Sequence, residues 1–449
     1  MFLIKFYEEF KKEREYKLDK YTKALIKDKY YLIEEPLTEN DKKNLEFIKK
    51  VINKVYYSSS SSLKDILKKI IKEYQLTIDD FDKLLYYLER EFELGKITSL
   101  LNDRNIEDIS CEGSNKPVLI YHSNFGHLET NIIFNEEELK DFIFKLSEKT
   151  GKIINIVNPI LQGQYKNLRI EATLKSDISK DYSFTLRKFR EKIFTPFDLI
   201  EKGTIDFVNL AYLWLAIEYK KNILIAGGTA TGKTTLLNAI SLFIKPEDKI
   251  ISIEDTPEIR LAHKHFVQLI ERNEQITMYD LLKSALRQRP DYIIVGEVRG
   301  KEANVLFQAM ATGHSGLATI HANDIHELEK RLTISPINLP KDILKILDLI
   351  VFQGFKLEKK KIIRITKKIF DYKVYDYFSI FNPLEEIYEF NNFNLIGRIS
   401  NNYGIKKEEL INSLLEKIEW LKKNYFQWLK NKYDYKVFQE KIKDYYNAL

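Results

Sequence analysis

The residues best placed to do chemistry form one unbroken run: Gly227, Gly228, Thr229, Ala230, Thr231, Gly232, Lys233 and Thr234, with Thr235 next. The run stands between an apolar stretch at 223–226 and a helix-like stretch at 236–240. It therefore reads as G-x-x-x-x-G-K-T between a strand and a helix. The glycines let the backbone curl until successive N–H groups point inward at an anion. The new helix adds its positive N-terminal end, Lys233 reaches the β- and γ-phosphates, and Thr234 offers a hydroxyl to magnesium. The pattern implies a site for a nucleoside triphosphate with Mg2+. A chance Gly/Thr loop would not carry both flanks.

Two further strand-like runs, 250–253 and 292–295, end at Glu254-Asp255 and at Gly296-Glu297. A triphosphate hydrolase needs one carboxylate to position or deprotonate the attacking water and another to organise the magnesium shell. The usual magnesium-side residue after such a strand is Asp; here it is Gly-Glu. Either Glu alone could be a solvated strand end. Two of them downstream of a complete phosphate loop point to catalysis. His314 and His321 bracket another strand-like run, and His321 stands at its carboxyl end, where the γ-phosphate should lie. An imidazole there can donate a hydrogen bond to that phosphate and report its loss. A zinc site is the rival reading, weakened by the seven-residue gap and the lack of a nearby cysteine.

The 449 residues imply about three domains. With 44% apolar and 31% charged residues the chain can bury a core and keep a solvated surface. A net charge of +6 is small for this length and does not by itself mark a nucleic-acid protein. The single cysteine, Cys111, allows neither an intrachain disulfide nor a cysteine-based zinc site. No apolar run approaches the ~20 residues of a membrane span, and Lys5, Glu8 and Glu9 argue against a signal peptide.

Residues 1–100 read as an N-terminal helical region: Leu63, Ile66, Ile70 and Tyr74 recur at helical spacing, as do Phe2, Phe6 and Phe10. Core packing is the plain reading of that aromatic stripe, docking on a partner or bilayer the sharper one. Ser58–Ser62 read as a flexible joint. Residues 101–190 read as a small α+β domain with strand-like runs at 118–121, 131–134 and 183–186. A helix at 136–149 is capped by Asn135 and ended near Gly151. Residues 191–206, with Pro196 and Gly203, read as a hinge. In 207–374, strands near 223–226, 249–253, 292–295 and 317–320 alternate with helices near 278–287 and 302–311. That predicts an α/β domain, a mostly parallel sheet with ligands at the carboxyl ends of its strands. Residues 375–449 read as a helical appendage, with Leu410, Leu414, Ile418 and Leu421 on one face.

Four segments in combination carry a family resemblance: the phosphate loop, the acidic box Ile253-Glu254-Asp255-Thr256-Pro257-Glu258, the run from Arg289-Pro290-Asp291 to Glu297-Val298-Arg299-Gly300, and the histidine segment 311–323. Over residues 220–330 the chain resembles the type II/type IV secretion ATPase superfamily. Asp108–Gly113 and Phe184–Phe189 are similar to its archaeal branch. The resemblance implies a RecA-like P-loop NTPase motor domain behind the α+β domain and the N-terminal helical region. It implies a homo-hexamer that hydrolyses Mg-ATP and powers pilus or archaellum assembly, or secretion. The motor would act through a polytopic membrane platform protein, so the chain is expected in the cytoplasm, held peripherally at the inner face of the cell membrane by that partner.

By the same resemblance Lys233 and Thr234 bind phosphate and magnesium, Glu254 is the catalytic base with Asp255 beside it, and Glu297 takes the Walker B position and shares the magnesium, partly through water. His314 and His321 form the histidine box. Arg169 and Arg187 reach the phosphates from the preceding domain, and Arg190 matches more weakly. The four-cysteine zinc motif of bacterial pilus-extension motors is missing, so no zinc is expected, and the signature of retraction motors has no match. A nucleic-acid translocase of the RecA-like class is the alternative. Such motors place a glutamine where this chain has His321, and no nucleic-acid partner is expected.

Overall fold

A computed structural model describes residues 14–55, 62–189, 193–272, 275–358 and 361–448. The chain divides into two compact units, Met1–Phe189 and Arg190–Leu449.

The first unit is built on a nine-stranded sheet. Its strands are β1 (Arg14–Lys17), β2 (Thr22–Ile26), β3 (Tyr30–Glu34), β4 (Ile106–Cys111), β5 (Pro117–His122), β6 (Gly126–Ile133), β7 (Ile160–Tyr165), β8 (Leu168–Thr173) and β9 (Ser183–Lys188), in the order β1-β2-β3-β6-β5-β4-β9-β8-β7. The helix Glu136–Thr150 packs Leu139, Phe142, Ile143 and Leu146, at helical spacing, against this sheet. Asn135 and Glu138 close a capping box at its start, and Gly151 ends it in the left-handed region.

The helices expected in the first hundred residues run Glu39–Val55, Leu63–Glu73 and Phe81–Phe92 around a small core of their own. Residues 14–34, expected to be helical, are instead the three strands β1–β3. Thr22–Ile26 buries every second side chain, and that period of two suits a sheet with one face covered. Phe2, Phe6, Phe10 and Ser58–Ser61 lie outside the described residues. Ser62 caps the helix Leu63–Glu73, its hydroxyl accepting the Asp65 N–H at 3.2 Å.

The second unit holds β10 (Ile223–Gly227), β11 (Ile250–Glu254), β12 (Phe266–Ile270), β13 (Tyr292–Val295), β14 (Ser315–Ile320), β15 (Leu349–Glu358), β16 (Lys361–Asp371), β17 (Asp376–Asn382) and β18 (Ile387–Phe390). Their order is β12-β11-β13-β14-β10-β15-β16-β17-β18, parallel from β12 to β15 and antiparallel beyond. The phosphate-loop strand β10 thus lies between β14 and β15, with β14 separating it from β13. Alternate residues of β10 enter opposite cores: Ile223 and Ile225 one, Leu224 and Ala226 the other. A parallel strand covered on both faces is apolar throughout, which is why these runs carry no alternation.

Three stretches differ from the expectation. Within 191–206, Pro196–Glu201 is a helical turn with a Thr195/Asp198 capping box and buried Phe197 and Leu199, so this part of the expected hinge is core. Residues 375–390 supply β17 and β18 before any helix begins. The three last helices, expected as an appendage, pack on the unit's core: Leu395, Leu414, Leu421, Trp428 and Phe438 share it with the helix Phe207–Glu218. Trp214 of that helix stacks on Phe243 and donates to the Tyr446 hydroxyl at 2.8 Å. The fully buried Lys417 lies 2.7 Å from Glu218. Unpaired, that charge would be strongly destabilising, so the pair fixes how the tail docks.

Candidate active site

β10 ends at Gly227, where a Cβ would come within 2.6 Å of the Gln353 carbonyl on β15 and 2.7 Å of the Thr231 hydroxyl. Only glycine permits that approach. The loop returns through Gly228, Thr229 and Ala230 to Gly232, which enters the helix Lys233–Ser241 at a φ of 91°. Thr231 donates to the Gly228 carbonyl at 2.9 Å, and Lys233 folds back to donate to the same oxygen at 2.8 Å. Burial pushes the Lys233 ammonium down to about 8; Glu297 opposes the shift, and Arg299 and Arg331 add to it. Thr234 and Thr235, half-buried, occupy the first turn of the helix.

β11 and β13 are neighbours in the sheet, so the two predicted carboxylates end adjacent strands. Their surroundings differ. Glu254 is 1% exposed. One of its oxygens accepts the N–H groups of Glu258 and Ile259, both at 2.9 Å, and the other accepts Gln268 Nε2 at 2.8 Å. Burial drives its carboxyl up to about 7 against these hydrogen bonds. Glu297 accepts Arg299 Nη2 at 2.5 Å on one oxygen, and its other oxygen lies 3.0 Å from His321 Nε2. Burial pushes this carboxyl up as well, but His321 and Arg299 outweigh it and hold it down at about 2.

His321 follows β14 and stands 3.4 Å from Lys233 Nζ, so Lys233, His321, Glu297 and Arg299 make one polar chain. Arg299 extends the chain to Asp255 Oδ2 at 3.2 Å. His314, expected beside the nucleotide, stands at the amino end of β14 with its ring against the Ala309 carbonyl at 3.3 Å. A six-residue strand separates the two histidines, roughly 20 Å of extended chain. Within one chain His314 is therefore at the wrong edge of the sheet for the phosphate loop.

Arg169 on β8 and Arg187 on β9 are direct partners in register within the first unit, and both are exposed. Arg187 pairs with Asp108 at 2.9 Å. Arg190 lies outside the described residues.

Three residues here had no role assigned from the sequence. Arg299 lay inside a recognised segment, two residues past Glu297, without a visible partner. Gln268 ties Glu254 to the Ile259 carbonyl from β12, a strand that was not foreseen. Glu258 is exposed on the loop that Glu254 holds, and its charge acts on Lys233.

The cradle fits a polyphosphate: glycines stand where a side chain would obstruct the backbone, and a desolvated ammonium regains charge beside an anion. Thr234 and the ionised Glu297 are the oxygen donors suited to Mg2+, which usually keeps waters and leans on phosphate oxygens. Among the described residues no group of three or more His, Cys, Asp or Glu side chains could hold a metal ion unaided.

A glycine-rich loop after β10, an interior strand of a parallel sheet, with Glu297 and His321 at the ends of nearby strands, defines a RecA-like motor domain. The chain belongs to the Type II/IV secretion system protein family, which matches residues 157–355. It is 46% identical over 267 residues to the protein MJ1287 of Methanocaldococcus jannaschii, covering 56% of this chain and 97% of that one. It is 42% identical over 299 residues to MJ0900 of the same organism, covering 65% of this chain but 54% of the relative, so it spans about half of that protein. Among solved structures, the Yersinia pseudotuberculosis ATPase DotB is similar at 17% identity, with a TM-score of 0.48, over 62% of this chain and 78% of that one.

Proposed function

We propose that this chain is an ATPase motor: a homo-hexamer that hydrolyses Mg-ATP and drives filament assembly or secretion through a membrane platform protein. The observation that carries the hydrolase reading is the convergence of Lys233, His321, Glu297 and Arg299 on one edge of the sheet. The motor and its partners rest on family membership. Among the described residues no helix is long and apolar enough to cross a membrane, and the proposed place of work is the inner membrane face, reached through the partner.

The loop N–H groups from Gly228 to Lys233 and the helix end bind the phosphates. Lys233 exchanges its bond to the Gly228 carbonyl for the β- and γ-oxygens. Thr234 and Glu297 would hold Mg2+, and the ion would neutralise charge on those oxygens. His321 senses the γ-phosphate while bonded to Glu297, so loss of phosphate alters a contact that reaches Arg299 and Asp255. A carboxylate takes a proton from the attacking water as its oxygen bonds to the γ-phosphorus and the bond to the β-phosphate oxygen breaks.

Glu254, poised near 7, has the affinity for that role. A second reading rests on geometry: one Glu254 oxygen is committed to the loop and the other to Gln268, while Glu258 is exposed and acts on Lys233, making Glu258 the base and Glu254 its support. Arg169 and Arg187 are proposed to reach a neighbouring subunit's phosphates.

Phosphate release with Mg-ATP, measured across a protein concentration series, tests the reading. Lys233→Ala is expected to abolish it, and wild-type activity to rise steeply with concentration if sites are shared. Activity flat per subunit would count against the arginines acting in trans. Strong, salt-dependent stimulation by DNA would favour a translocase instead.

A further inference from the structure

Ala230 holds a left-handed backbone with a φ of 59°, although it carries a Cβ. Such a conformation is costly for any residue but glycine and persists when something outside the loop holds it. Arg364 of β16 donates from Nε to the Ala230 carbonyl at 2.7 Å, and its Cδ lies 3.3 Å from where a Cβ on Gly232 would be. The aliphatic stem thus packs under one loop residue while the guanidinium bonds another.

The consequence follows from peptide geometry. In a trans peptide the C=O of one residue and the N–H of the next point in opposite directions. Drawing the Ala230 carbonyl toward Arg364 turns the Thr231 N–H the other way, away from β16. Arg364 also lies beyond the family match at 157–355. It comes from the antiparallel extension rather than from the strands that carry the loop, the carboxylates and the histidine.

We infer that Arg364 is a positioning residue: it braces the phosphate loop from the β15–β16 hairpin, presetting the Thr231 N–H for phosphate before the ligand arrives. It does not touch the reacting atoms. Presetting the cradle raises affinity by removing an ordering cost from binding, and leaves the chemical step alone. The inference rests on the reading of this loop as an ATP site.

The experiment compares the full-length chain with Arg364→Met, which keeps the stem and removes the donors, and Arg364→Lys, which returns a donor. Amide hydrogen exchange across residues 227–234 is measured without ligand, followed by the Kd for Mg-ATP and kcat at saturating ATP. Arg364→Met is expected to exchange faster in that loop and to bind ATP about tenfold more weakly, the scale of one charge-assisted hydrogen bond. Its kcat should stay within about twofold, because binding and not chemistry is affected. Arg364→Lys should recover part of the affinity.

Unchanged loop exchange and Kd would overturn the proposal, as would a loss confined to kcat. Where Arg364→Met does not unfold cooperatively on heating, Arg364→Gln is read by the same outcomes. A wild type that binds no nucleotide, indistinguishable from Lys233→Ala, would sink the ATP reading; the exchange rates would still decide whether Arg364 braces the loop.

Discussion

Two strand ends lie side by side in the second sheet and treat the same side chain in opposite ways. At the end of β11, Glu254 is buried among backbone N–H groups and Gln268, and its carboxyl rises to about 7. At the end of β13, Glu297 is also largely buried, yet Arg299 and His321 hold its carboxyl at about 2. Neutral dipoles soften desolvation but do not cancel it; a guanidinium beside the oxygen does. The comparison teaches that the two glutamates are not interchangeable members of an acidic cluster. One stays charged at neutral pH, and the other is balanced between forms there.

The sharpest test of that difference is removal of charge. Glu297→Gln should lower kcat about 10²–10³-fold, on the scale of losing a preorganised electrostatic group at a reacting phosphate. Steady-state phosphate release reads it, and activity within threefold of wild type would break the assignment of Glu297 to the magnesium side.

A smaller separation is expected between the two residues of the acidic box. If Glu258 is the base, Glu258→Gln should cost about 10²-fold in kcat, the lower end for general base catalysis. Glu254→Gln should then act mainly by loosening residues 255–259, lowering thermal stability along with activity. If instead Glu254→Gln abolishes turnover at unchanged melting temperature while Glu258→Gln does not, Glu254 is the base. Phosphate release and thermal melts on both variants settle the order.

The smallest expected effects are in stability against pH, where the two carboxyls pull in opposite directions. Glu297, held down at about 2, contributes stability that is present above its unfolded value of about 4.5 and is lost as pH falls toward 2. Glu254, raised to about 7, is favoured protonated in the fold, so its contribution is fullest below about 4.5 and is lost as pH rises to 7. Each amounts to at most on the order of 3 kcal/mol. Urea unfolding from pH 3 to 8 should therefore show Glu297→Gln flattening the acid limb and Glu254→Gln flattening the fall between 4.5 and 7. Identical profiles for the two variants would erase the contrast.

The parts of the molecule that were legible are those governed by short-range pattern. The loop from Gly227 to Thr234 and the strands at 223–227, 250–254 and 292–295 are written in consecutive residues, because a buried parallel strand is apolar throughout and a phosphate turn needs glycine at set positions. The strands at 14–34 were passed over because their short alternations, set among Lys, Glu and Tyr, become a strand pattern only once neighbours cover one face. β17 and β18 were lost in the same way, in a tail whose aromatic and lysine content favours no one period.

By itself the sequence determined which residues could do chemistry: a phosphate loop, two strand-end carboxylates and two histidines, with the family that uses them in combination. Only the tertiary structure decided which of these meet. Parallel pairing sends His321 to the loop's edge of the sheet and His314 to the other, since a strand carries its two ends a full length apart. It also decided charge, because Gln268 of β12, which offsets the desolvation of Glu254, and Glu297 after β13, which offsets that of Lys233, are brought in from distant parts of the chain. The brace from Arg364 to Ala230 spans 134 positions of chain and exists only once β15 has paired with β10 and β16 with β15. Contacts of that range are set by how the layers fold onto one another, and no local pattern records them.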